Sequence, residues 1–157
     1  MNLHVDSLGG DYILIGNIAA LSTLASLVFT ILAPRILTFL KISFTLFVFF
    51  LLTSLITLTL NLVKILSFDF ILFPALAAVV AIQRVVWMRL IQSLAGKQNV
   101  SVGTGLYLAI MDLFSIGYFL LLGIIAEYQD LGSIFLVSAI IPIILAFFTK
   151  LFLKNPF

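Results

Sequence analysis

Apolar residues in this chain fall into five long runs separated by short polar segments. The runs cover roughly 12–33, 42–63, 70–91, 106–126 and 131–152. Each is close to the roughly 20 residues that a helix needs to cross a hydrocarbon core about 30 Å thick. A transmembrane strand would instead alternate in polarity over about ten residues, and stretches such as Phe44–Leu52 are apolar on both faces. The pattern therefore predicts an all-α, polytopic integral membrane protein of five transmembrane helices, forming a single domain over residues 1–157. The prolines punctuate it. Pro34 is expected to close the first span, because proline cannot donate the next helical bond. Pro74 is expected in the first turn of the third span, where a missing N–H costs nothing, and Pro142 is expected to kink the fifth. No internal repeat is visible, and an odd number of spans argues against a simple inverted duplication.

The polar segments between the runs alternate in charge. Asp6 and Asp11 precede the first span, and Arg35 and Lys41 follow it. Lys64 and Asp69 occupy the next gap, then Arg84, Arg89 and Lys97, then Glu127 and Asp130, then Lys150 and Lys154. Short loops rich in Lys and Arg favour the cytoplasmic side. With the N-terminus outside and the C-terminus inside, all of these basic residues except Lys64 fall inside. Tyr12 and Tyr128 then mark the outer interface, and Trp87 and Tyr107 the inner one. Residues 1–12 hold two acids and neither Lys nor Arg, so they do not read as a signal peptide. They read as a polar tail that contains His4.

Composition agrees with lipid as the main solvent. Of 157 residues, 64% are hydrophobic and 9% charged, against about 25% charged in soluble domains. The net charge of +2 includes no basic stripe, so nucleic acid is not an expected partner. Cysteine is absent, which excludes disulfides and thiolate-held metal clusters. The single histidine cannot supply the pair of axial ligands a haem within a bundle normally takes. No cofactor and no metal are expected. The sequence contains no G-x-S-x-G, no H-E-x-x-H and no CxxC. The polar connector Gln92–Gly105 carries Gly96-Lys97 but lacks the remainder of a phosphate loop.

Among the charged residues, Asp112 stands out because it lies within an apolar run. Counted from the start of the fourth span, it is roughly 9 Å deep, and Arg84 on the third span is at a matching depth of roughly 10 Å. An intramembrane carboxylate costs on the order of 2–3 kcal/mol unless it is paired or hydrated. The expectation is therefore an Arg84–Asp112 pair, or a polar site built on both. Small residues were sought as close-packing faces: Ala77 and Ala81 beside Arg84, and Gly105, Ala109 and Ser115 beside Asp112. Gln83 points to a different face from Arg84. Arg35, Lys41, Arg89 and Lys97 are candidates for phospholipid headgroup or partner contacts. The hydroxyls of the second span (Thr45, Thr53, Ser54, Thr57, Thr59) fit a packing face better than a conduit. Gly16, Asn17, Ala20, Thr23 and Ser26 give the first span a small-residue face. Asp69, Glu127 and Asp130 read as ordinary loop charges.

A chain that is almost all bilayer, without cofactor ligands, is expected to be a non-catalytic integral subunit of a larger membrane complex, surrounded by other membrane subunits and phospholipids. The alternatives are a small oligomeric transporter or channel component using Asp112, and a membrane-embedded lipid-modifying enzyme, which would lack a nucleophile. The membrane expected is a prokaryotic plasma membrane, with an organellar inner membrane as the alternative.

Overall fold

In hydrocarbon a backbone amide or carbonyl has no water to bond, so long apolar segments close their hydrogen bonds within a helix. A computed structural model of the chain describes residues 2–96, 99–128 and 131–152, and all of its regular structure is helical. The elements are α1 (Asn2–Ser7), α2 (Tyr12–Phe39), α3 (Ile42–Leu62), α4 (Leu66–Ala95), α5 (Val100–Tyr128) and α6 (Leu131–Phe152). The last five are long and apolar enough to cross a membrane.

Two elements run past the prolines expected to bound them. Helix α2 passes through Pro34 to Phe39. Ala33 and Leu37 lie on either side of Pro34 and are buried in one core cluster, so packing compensates for the bond that proline removes. Helix α4 begins at Leu66, which places Pro74 in its interior rather than its first turn. Helix α6 likewise continues through Pro142. The expected connector at 92–105 is mostly helical. Helix α4 ends at Gly96, whose φ of +72° suits glycine, and α5 begins at Val100. A Cβ on Gly103 would lie 2.6 Å from the Ala95 Cβ, so α5 closes on α4 just beyond that turn. The Gln92 amide adds a bond to the Thr104 hydroxyl.

Helix α4 is the centre of the bundle. It packs most extensively on α2, then on α3 and α5, while α3 carries α6 on its other side and α5 touches α6 more lightly. Two apolar clusters hold the centre together. One, near the end where α2 finishes, joins Ala33, Leu37, Leu46, Phe50, Ile82, Val86, Leu90 and Ala146. The other, at the α1 end, joins Val5, Ile18, Leu60 and Phe73. Arg35, Lys41, Arg89 and Lys150 lie at or near the far end, where the Lys150 ammonium sits 5.2 Å over the Phe47 ring.

The threonine hydroxyls of α3 are satisfied within their own helix. Thr45, Thr53, Thr57 and Thr59 each donate to the carbonyl four residues back, the arrangement that makes hydroxyls tolerable in an apolar helix. Gln83 crosses from α4 to α3, where its amide donates to the Phe49 carbonyl at 2.8 Å and to the Thr53 hydroxyl at 2.6 Å. The hydroxyl-rich stretch of α3 is thus a packing face, with Thr45, Thr53, Ser54 and Thr57 buried. Gln83→Leu is expected to lower unfolding stability in mixed micelles by about 0.6–1.7 kcal/mol, the range of interhelical side-chain bonds in lipid. A denaturant titration alongside Thr53→Val and the double variant checks it. Additive losses would show that the two groups are not coupled.

Candidate functional site

The N-terminal residues do not form an extended tail. Helix α1 is one and a half turns long and ends in a glycine-based reversal. The Gly10 amide donates to the Val5 carbonyl and the Gly9 amide to the Asp6 carbonyl, both at 2.9 Å, with Gly9 at φ +81°. This pair of bonds is the Schellman arrangement that glycine permits at a helix end. Gly10 is also sterically required, because a Cβ there would lie 2.5 Å from the Val5 Cγ1 and 2.9 Å from the Val5 carbonyl. Asp11 follows at once as the N-cap of α2, its carboxylate accepting from the Leu14 amide at 2.8 Å. The sequence Gly9-Gly10-Asp11 therefore ends one helix, reverses the chain and starts the next.

The reversal lays α1 on the bundle. Val5 is fully buried in the cluster with Ile18, Leu60 and Phe73. His4 comes to rest between aromatic rings, 4.8 Å from Phe135 and 6.1 Å from Phe73 by ring centroids, both edge-on. Its Nε2 lies 3.5 Å from the Asp69 Oδ1. Asp69 is 0% exposed and His4 7%. The contact is an ion pair when His4 carries a proton, and its separation lies beyond the usual hydrogen-bond range. Neither His4 Nε2 nor either Asp69 oxygen has a hydrogen-bond partner. Asp69 does sit in the first turn of α4, where the helix dipole favours negative charge. His4 and Asp69, read from sequence as a tail residue and a loop charge, thus form the ion pair found among the described residues. The one advance signal was a cationic side chain and a carboxylate both at the same predicted membrane level.

Arg84 and Asp112 do not pair. Counted from the facing ends of α4 and α5, they lie at similar heights, roughly 17 and 18 Å along their helices, but at different angles around them. The α5 face against α4 is made by Gly103, Thr104 and Tyr107, the last 4% exposed. At 100° per residue Asp112 is about 180° around α5 from Gly103 and about 140° from Tyr107. It is exposed, as is Arg84. The small-residue faces expected at the seam behave accordingly. Nothing approaches a Cβ placed on Gly105, Ala109 is exposed, and Ser115 bonds back to the Met111 carbonyl. On α2 the Gly16 face is likewise open, and Ile18, Ala33 and Leu37 make the contacts instead.

Arg35, Lys41 and Arg89 are exposed, while Lys97 and Asp130 lie outside the described residues. No group of three or more His, Asp or Glu side chains comes together among the described residues. An open groove of about 380 Å³ between α3 and α6 is lined by Leu51, Leu55, Leu58 and Ile143, with Ser54 its polar member. None of its lining residues is titratable.

Removing His4 takes from the buried Asp69 carboxyl the ionisable neighbour that lies 3.5 Å away. His4→Ala is expected to lower stability by about 1–3 kcal/mol. This is at the low end for a buried ion pair, because Asp69 is only a few residues from the end of the bundle. His4→Phe with Asp69→Leu, which replaces both partners by apolar groups, is expected to recover most of that loss. Denaturant titration of the three chains checks it, and equal losses in the single and double variants would contradict it. No protein-family model, no curated protein and no solved structure matches this chain.

Proposed function

We propose that this protein is a non-catalytic integral subunit of a membrane protein complex, and that it docks through the outer face of α5. The observation that carries this reading is the position of Asp112. It lies in the middle of an apolar helix, exposed and turned away from its own bundle. A carboxylate facing acyl chains costs about 2.5–3.5 kcal/mol at the centre of a membrane helix. A neighbouring helix that presents a cation or a hydrogen-bond donor at the same depth removes that cost. The occupant of this face is therefore a transmembrane helix of another subunit with Lys, Arg, His or an amide side chain facing Asp112. Helix α5 suits such a role because it is attached to the bundle along one side only, by α4 and lightly by α6.

The same reading orients the chain. Arg35, Lys41, Arg89 and Lys150 gather at one end of the bundle, and Asp6, Asp11 and Glu127 at the other. The bias of basic residues toward the cytoplasmic side places α1 outside. The basic residues then face anionic headgroups.

The test is recovery of the complex from its native membrane in mild detergent. The unsubstituted chain is expected to retain a second membrane polypeptide. Asp112→Leu is expected to lose it about tenfold, at the upper end of what a single interhelical polar contact contributes, while Leu113→Ala on a neighbouring face keeps it. A chain that runs as a lone 17.3 kDa monomer, with no change on Asp112→Leu, would overturn the proposal.

A further inference from the structure

The site beneath α1 has the parts of a reversible fastening. Helix α1 is a six-residue element, too short to be stable alone. It joins the bundle through Gly9 and Gly10, and its own contact with α2 is slight. Among its described side chains, Val5 and the titratable His4 are the buried ones. What it covers is a carboxylate with no accessible surface and no hydrogen bond.

We propose that His4 and Asp69 form a proton-binding latch, which holds α1 against the bundle while the pair carries one proton and releases it when the pair carries none or two. The argument is one of net charge. With one proton the pair is neutral, whichever group holds it. With none it is a buried anion, and with two a buried cation. Burial of an uncompensated charge is what an apolar site resists most strongly. Among the described residues, no other charged side chain compensates. On α1, Asp6 is exposed, and on α2, Asp11 is exposed and engaged with the Leu14 amide. Lys64, ahead of α4, is exposed. From α4 and α6 the neighbours of His4 are the rings of Phe73 and Phe135. Opening turns α1 about Gly9–Gly10 and uncovers the Asp69 carboxylate at the end of α4. Proton concentration on that side of the membrane thereby sets access to Asp69.

The absence of cysteine makes the test direct. Val5→Cys reports a docked α1, and Tyr12→Cys, on the exposed start of α2, corrects for the pH dependence of thiol chemistry. In proteoliposomes, labelling of Val5→Cys by a hydrophilic maleimide, relative to Tyr12→Cys, is expected to be slow near about pH 6. It is expected to rise by up to about tenfold per pH unit above the range where histidine holds its proton. Asp69→Asn makes the pair neutral without a proton, so labelling is expected to stay slow near about pH 9 and to rise near about pH 5. His4→Phe with Asp69→Leu is expected to stay protected throughout. The double variant lacks both titratable groups and so isolates the pair. A relative rate that does not change with pH in the His4–Asp69 chain, or an unchanged pH profile in the double variant, overturns the proposal. Amide exchange of residues 2–8 in the unsubstituted protein, corrected for intrinsic rates, decides the same question should Val5→Cys itself free α1. Protection lost on raising the pH supports the latch, and protection independent of pH refutes it.

Discussion

The cost of leaving a polar group unpartnered in an apolar medium decides where nearly every non-hydrocarbon atom of this protein sits. Backbone groups close on themselves in long helices. Threonine hydroxyls return to their own carbonyls four residues back. Gln83 spans two helices to find the Thr53 hydroxyl and the Phe49 carbonyl. Asp69 is met by His4, and bringing His4 there requires an extra helix, a glycine reversal and an N-cap within eleven residues. Asp112 has no such answer among the described residues. On the proposed function, that side chain is where a second protein removes the cost.

The two ends of the bundle solve different problems. At the far end, basic side chains project from helix termini and are exposed, with only the Lys150–Phe47 contact tying one of them down. At the α1 end, a short helix folds over and seals a carboxylate and an apolar cluster together. Val5 burial contributes about 1.5–3 kcal/mol, which a six-residue helix spends largely on its own ordering. The docking of α1 is therefore poised, and the His4–Asp69 charge balance is large enough to tip it.

Much of this was legible in the sequence. Five apolar runs and their helical character follow from length and from the absence of alternation, and residue counting alone puts Arg84 and Asp112 at similar heights along α4 and α5. The rotation of each helix about its axis was not legible. Helix α5 carries glycine at both 103 and 105, about 200° apart around the helix, and either could have faced α4. The structure uses Gly103, against Ala95, and that choice turns Asp112 outward. Prolines misled as boundary markers because Ala33 and Leu37, on either side of Pro34, gain enough burial to carry α2 onward. The pairing of His4 with Asp69 was hidden because it depends on a reversal at Gly9–Gly10 that brings together groups 65 positions apart. Only the shared membrane level of the two residues pointed toward it.

The central claim is that the outer face of α5 is covered by protein rather than lipid. Photoreactive side chains placed at Leu108 and Ile116, one turn either side of Asp112, test it in the native membrane, with Ile31 on the exposed face of α2 as the reference. The account predicts protein adducts from positions 108 and 116 and lipid adducts from position 31. Lipid adducts alone at all three positions would contradict it.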